Sequence, residues 1–192
     1  MADQTQRQQR IGERRRRILT AARERANADG WAAVTTRHLA DTIGYTQPVL
    51  YGHFPGGKAE IMLVIALEGF VELAKQCRAA LGRKRGRPAV EAVAIAYLNF
   101  GSEHPAVYEA MFQQPIGVRF ASDDTEPALR APFDVLAETI GDQGNGTATE
   151  VFWGALHGIS LLERASRMRP EHRSHRVAEL GVRFAADLPG LR

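Results

Sequence analysis

A single cysteine, Cys77, stands in 192 residues, so no disulfide can close within the chain and folding must rest on a buried core. No basic N-terminal segment runs into the apolar stretch of a secretory signal, and the expectation is a reducing cytoplasm. Long apolar runs are missing too. Stretches such as residues 61–67, bounded by Glu60 and Glu68, are too short to cross a bilayer, which excludes a membrane span. Nowhere does polarity alternate residue by residue as in a half-buried strand, and no internal repeat is found. Ser-His-Asp, paired-carboxylate, phosphate-loop and metal-ligand groupings cannot be assembled by spacing, which argues against an enzyme and calls for no cofactor.

What is present is a chain with 44% hydrophobic residues, enough for one compound globular unit or two closely packed small domains. Its net charge of +3 conceals a division. Residues 1–58 hold ten Lys or Arg against five Asp or Glu, a balance of +5, and the remainder holds fifteen against seventeen. A polyanion partner at the N-terminal end fits that asymmetry, and a solvated arginine-rich helix start is the plainer alternative.

Apolar residues recur at three and four throughout, so the expected fold class is all-α with about nine helices. Residues 12–28 predict an amphipathic helix with a polybasic first half, stopped by Asp29 and Gly30. Thr35 suits the N-cap of a short helix reaching Ile43, with Gly44 at its end. A third begins near Thr46, carries Pro48 in its first turn where the lost amide is harmless, and ends before Pro55-Gly56-Gly57. One long helical pattern covers residues 58–81, and a basic turn covers 82–88. Further helices are expected at 89–103, 105–114, 128–140, 147–168 and 171–188. A loop with an acidic tip at Asp123-Asp124 is expected over 116–127, and a flexible link over 141–146.

Ala40, Gly44 and Leu50 have the spacing of a helix-turn-helix: a small residue where two helices touch, a glycine four on for the turn, and an apolar anchor six beyond. Around them, Gly30-Trp31, Thr35-Thr36-Arg37-His38-Leu39-Ala40, Ile43-Gly44 and Gln47-Pro48-Val49-Leu50-Tyr51-Gly52-His53-Phe54 resemble the TetR family pattern over roughly residues 14–70. That resemblance implies a three-helix DNA-binding domain, residues 1–57, on a helical ligand-binding and dimerisation domain, residues 58–192. It implies a homodimer on double-stranded operator DNA, most often a repressor released by a small molecule.

By position, Gln47, Pro48 and Val49 look like base-facing residues, with the Gln47 amide matched to adenine and Val49 or Pro48 to a thymine methyl. Thr36, Arg37, Tyr51, His53 and Lys58 look like phosphate contacts, all of them donors, with core packing the alternative for Tyr51 and His53. Two departures stand out. Gly52 replaces the family's usual aromatic or polar residue, and the link ending in Lys58 is one residue longer than usual. The arginines at 14–17, preceded by Arg7 and Arg10, suit either a flexible minor-groove arm or a solvated helix start.

In the C-terminal part, Trp153-Gly154-Ala155-Leu156-His157-Gly158 resembles the Trp-His-Gly class of TetR-family domains, which implies that the last two helices form the dimer interface. Tyr97, Phe100, Tyr108, Met111, Phe112, Phe133 and Trp153, with His157, make an inventory suited to an apolar or aromatic-compatible ligand, and ordinary core packing remains the alternative for each. His172 and His175 are three apart but lack the further ligands a metal site needs. A regulator controlled by a protein partner without a small molecule also stays open.

Overall fold

A computed structural model describes residues 2–112 and 127–185. The expected acidic loop, with Asp123 and Asp124, and the last residues of the expected final helix lie outside the described residues. Among the described residues there are nine α-helices and no strand: α1 (Ala2–Asp29), α2 (Thr36–Ile43), α3 (Gln47–His53), α4 (Gly57–Leu81), α5 (Gly86–Glu103), α6 (Pro105–Phe112), α7 (Pro127–Ile140), α8 (Thr147–Arg164) and α9 (Arg173–Phe184). Short 3-10 turns at Trp31–Ala33 and Pro170–His172 precede α2 and α9. No described helix is long and apolar enough to cross a membrane.

The chain divides into two compact units, Met1–Leu67 with Pro105–Val118 and Glu68–His104 with Arg119–Arg192. In the first, α1 turns Ile18, Leu19, Ala22 and Ala26 inward onto Leu39, Ala40 and Ile43 of α2 and Leu50 of α3, all buried. Ile61 and Ile65 from the start of α4 are equally buried. The far end of α1 is tied to α6 through backbone-directed bonds. Ala106 N donates to Asn27 Oδ1 at 3.1 Å, and the buried Trp31 indole donates to Ala106 O at 2.8 Å.

In the second unit α5 is the central helix, packed by α7, α8 and α9 and buried through Ala89, Val90, Val93, Ala94, Tyr97 and Leu98. Close approach of α9 depends on Gly181, where an added Cβ would come within 2.8 Å of the Glu91 side chain and 2.9 Å of Arg87. Cys77 is a core residue here, its thiol pushed up to about 12 by burial.

Four sequence expectations are corrected. The first helix starts at Ala2 rather than residue 12, so Arg7 and Arg10 ride on a helix rather than a flexible arm; Gln4, Gln6, Gln8 and Gln9 are good helix formers that extend it without burial. Helix α5 starts at Gly86, because Pro88 falls in its first turn where no amide is needed. Helix α8 stops at Arg164, closed by Ser166 at φ 53° and by Arg167 N donating to Leu162 O at 2.8 Å, and α9 starts at Arg173 and ends at Phe184, where Ala185 turns extended. Residues 141–146 form a tied turn rather than a loose link. The Asp142 carboxylate accepts from Gly144 N at 2.9 Å, Thr149 N at 3.1 Å and Thr149 Oγ1 at 2.7 Å. Those bonds, led by the Thr149 hydroxyl, hold the Asp142 carboxyl below its ordinary value of 3.8.

Candidate nucleic-acid interface

The helix-turn-helix is built from local chemistry. Thr35 adopts an extended conformation and its hydroxyl accepts from His38 N at 3.1 Å, satisfying one free amide at the start of α2. At the other end Gly44 takes the left-handed conformation, φ 72°, and Tyr45 N donates to Ala40 O at 2.9 Å, closing the turn. A side chain at position 44 would be strained in that conformation. Helix α3 then departs with Pro48 in its first turn and is pinned by Leu50 and, just past its end, Phe54, both fully buried.

That seating leaves one face outward. Gln47 and Pro48 are exposed, Val49 is half-buried, and Tyr51 is 44% exposed. Arg37 is exposed at the start of α2, and Thr36 Oγ1 lies 3.5 Å from the Tyr51 hydroxyl. Bases and phosphates are read by such donors held on a rigid frame.

The glycine before Lys58 meets a steric demand. Gly57 has φ +60°, and a Cβ there would lie 3.3 Å from Tyr51 Cε1 and 3.6 Å from Thr36 Cγ2. The Tyr51 ring therefore rests against a bare backbone. Gly56 N donates to Glu60 Oε2 at 2.9 Å, capping the start of α4. Lys58, half-buried, donates to Trp31 O at 2.5 Å, which occupies one of its three ammonium protons. His53 is half-buried, and burial followed by the charges of Arg14 and Arg15 lowers its pKa below the ordinary 6.5. Neutral imidazole donates only one proton, so His53 is a weaker phosphate partner than an imidazolium.

Sequence spacing does not single out the side chains that brace this frame. Arg15 lies over the Phe54 ring at 4.2 Å and donates to His53 O at 2.6 Å. Arg17 donates to Ile43 O at 3.0 Å, and Arg14 and Arg17 each sit 5.4 Å from the Tyr45 ring centroid. Cations placed on the last carbonyls of α2 and α3 also complement the helix dipoles. The available signal is arginine at helical spacing on the flank of the apolar stripe of α1, which by itself suits an arm or a solvated helix start equally well.

The candidate ligand residues divide between the two units. Tyr108, Met111 and Phe112 lie on α6 in the first, where the Tyr108 and Phe112 rings are 4.7 Å apart. Tyr97, Phe100, Phe133, Trp153 and His157 lie in the second. There Trp153 Nε1 donates to the Tyr97 hydroxyl at 3.1 Å, and Phe100 packs on His104 at 5.0 Å. Phe133 lies beside Gly146, and half-buried His157 has its pKa lowered by burial and then by Arg164. His172 and His175 are exposed with rings 6.0 Å apart; among the described residues no group of three or more His, Cys, Asp or Glu could hold a metal ion.

Comparison with known proteins agrees with this architecture. Residues 18–65 match the family model of bacterial regulatory proteins of the tetR family, and residues 90–185 match the tetracyclin repressor-like C-terminal domain. A helix-turn-helix-type transcriptional regulator of Mycobacterium tuberculosis, Rv0681, is 28% identical over 183 residues, covering 91% of this chain and 81% of the relative. A tetR-family regulatory protein from Rhodococcus RHA1 has a similar fold, TM-score 0.65 at 20% identity over 90% of this chain and 96% of that one. So does a single-residue variant of TetR from Acinetobacter baumannii, solved in complex with minocycline, at TM-score 0.58 and 18% identity over 86% and 92% of the two chains. The chain belongs to the TetR family of bacterial regulatory proteins, DNA-binding regulators of transcription.

Proposed function

We propose that the protein is a ligand-responsive repressor that binds palindromic operator DNA as a homodimer and leaves it when a small molecule binds its C-terminal domain. In this reading residues 1–57 bind DNA, and residues 58–192 bind ligand and dimerise. The observation that carries it is the outward face of α3, where Gln47 and Pro48 stand exposed over the buried anchor Leu50. Gln47 pairs its amide with adenine, Pro48 and Val49 meet thymine methyls, and Thr36, Arg37, Tyr51, His53 and Lys58 hold phosphates. Of these, Arg37 and Tyr51 are the strongest phosphate candidates, since Lys58 and His53 are already engaged or shifted toward neutrality.

Dimerisation is assigned to α8 and α9. Val151 and Leu162 on α8 and Val182 on α9 are 58%, 43% and 60% exposed, and Gly154 and Gly158 have open space where a side chain would stand. Such a face suits a twofold mate. The likeness of residues 153–158 to the Trp-His-Gly class belongs to this reading.

The ligand site is assigned to the second unit, around the Trp153–Tyr97 hydrogen bond, with His157, Phe100 and Phe133, and to an apolar or aromatic-compatible molecule. Ligand binding would act through α4, whose residues belong to both units, to change the spacing of two DNA-binding heads. Sedimentation equilibrium combined with operator selection from random duplexes tests the proposal. A dimer selecting a palindrome is the expected result, and a monomer, or a dimer with no sequence preference, contradicts it. Replacing Gly158 by Leu should weaken association by forcing the helices apart.

A further inference from the structure

The α1 helix runs farther than its packing requires. Ile18 is its first buried residue, yet the helix begins at Ala2, and residues 4 to 12 are exposed on every side. An unburied extension of this kind contributes nothing to the core. Its charge is strongly one-sided, because residues 4–17 carry six arginines and one glutamate, Glu13.

Four of the six share one face of the helix, while Arg15 and Arg16 lie off it. Arg7, Arg10, Arg14 and Arg17 follow one another at intervals of three, four and three, which places them within about an 80° arc at 100° per residue, a single stripe about 15 Å long. The two lower members show which way the stripe faces. Arg14 and Arg17 both approach the Tyr45 ring, in the turn immediately before the exposed recognition helix. Arg7 and Arg10 continue the same face one and two turns beyond, exposed, and with no hydrogen bond or ion pair among the described residues. One DNA strand presents a phosphate about every 3.4 Å along the axis, so the stripe matches the length of about four phosphate intervals.

We propose that the amino-terminal extension of α1 is a phosphate-binding stripe. Arg7 and Arg10 grip the DNA backbone outside the base pairs read by α3, lengthening the footprint of each head without reading sequence. The proposal rests on the DNA-binding reading given above. It differs from a flexible minor-groove arm in requiring the helix to be intact, since only helical spacing aligns the two guanidinium groups with the face that Tyr45 marks.

The test compares wild type with Arg7→Gln/Arg10→Gln, which keeps helix propensity, on the operator selected by the wild-type protein. Affinity is measured from 50 to 200 mM salt. With about 0.9 counterions released per phosphate, losing two contacts per head should make the mutant's fall in affinity over that range smaller by about tenfold per head, or about a hundredfold for a dimer. Hydroxyl-radical footprints should shorten at both outer ends, and the selected sequence should stay the same. Arg83→Gln/Arg85→Gln, which removes the same charge from an exposed turn of the second unit, should change neither slope nor footprint. Gly12→Pro, which breaks the helix between Arg10 and Arg14 while keeping every arginine, should reproduce the loss.

An unchanged slope and footprint in Arg7→Gln/Arg10→Gln overturns the stripe while leaving the DNA-binding reading intact. An equal loss in the Arg83/Arg85 control shows a net-charge effect and overturns it as well. Full affinity in Gly12→Pro, beside a loss in the arginine double mutant, overturns the helical stripe in favour of a flexible arm. If the wild type selects no duplex at all, the DNA-binding reading itself fails.

Discussion

The two units use similar amounts of apolar packing for different ends. In the first, small elements of seven and eight residues, α3 and α2, are held in place from behind by Leu50, Phe54 and the arginines of α1, and their outer face is polar and exposed. In the second, long helices enclose aromatic side chains: Tyr97, Phe100 and Phe152 are fully buried, and the polar groups among them bond one another, as Trp153 does Tyr97. An exposed face that nothing in the fold requires points outward to a partner. Buried aromatics are demanded by folding whether or not a ligand exists, so in the second unit function and stability share the same residues.

The largest effect that would sharpen this contrast is removal of an anchor behind the reading face. Phe54→Ala should destabilise the protein by about 3–5 kcal/mol, because its ring is fully buried and carries Arg15 on one side. Tyr51→Phe should change stability by less than about 0.5 kcal/mol, since its hydroxyl is exposed. Urea titrations of both variants compare them directly; equal losses would mean that Tyr51 is structural and that the outward face is not free.

A smaller effect separates the two glycines of this region. Gly57→Ala should cost about 1–2 kcal/mol because its φ of +60° is unfavourable for alanine and the new Cβ presses on Tyr51. Gly52→Ala, helical and with open space around it, should stabilise by about 0.5–1 kcal/mol. Thermal melts with opposite shifts support the account of the lengthened link, and a destabilised Gly52→Ala would show that position 52 is packed.

Arg15→Met keeps much of the side-chain stem but loses the bond to His53 O and the cation over Phe54, a cost of about 1 kcal/mol. The same change removes a positive charge that lowers the pKa of His53, so that pKa should rise toward 6.5 in an NMR titration. A histidine whose folded pKa lies below its unfolded value loses stability as pH falls through the unfolded value, because the unfolded chain takes up the proton first. That acid-side loss should therefore be smaller in Arg15→Met.

The smallest effect expected is at the turn before α8. The Asp142 carboxyl is held below its ordinary 3.8, so its contribution is present above that value and is lost as pH falls through the depressed folded value. Asp142→Asn should flatten this part of the stability-against-pH curve. An unchanged acid limb would assign it to other carboxylates.

How far the sequence leads differs between the units for the same reason. The DNA-binding helices are specified by neighbours in the chain: Thr35 caps, Gly44 turns, Pro48 starts and Leu50 anchors, and each acts within a few residues. The braces that act across the chain, Arg15 to His53 over 38 residues and Trp31 to Ala106 over 75, leave no trace in local spacing. The need for glycine at position 57 is not visible in the sequence, because it depends on Tyr51 packing against it. In the second unit, periodicity shows the helices but does not separate lining from core. The link at 141–146 reads as loose because its ties, from Asp142 to Thr149 seven residues on, are not marked by composition. Tyr108, Met111 and Phe112 fall in with residues of the other unit on sequence alone, because composition carries no information about which helices an aromatic residue joins.

The claim that α3 reads bases through Gln47 while Tyr51 holds the backbone is tested most directly by selecting binding sites from randomised duplexes with Gln47→Ala and Tyr51→Phe. Gln47→Ala should cost on the order of 1–3 kcal/mol on the preferred operator and relax discrimination at one base pair in each half-site. Tyr51→Phe should weaken all sequences by a similar factor and leave their ranking unchanged. A preferred sequence unaltered by Gln47→Ala but altered by Tyr51→Phe would contradict the assignment and require a different seating of the recognition helix.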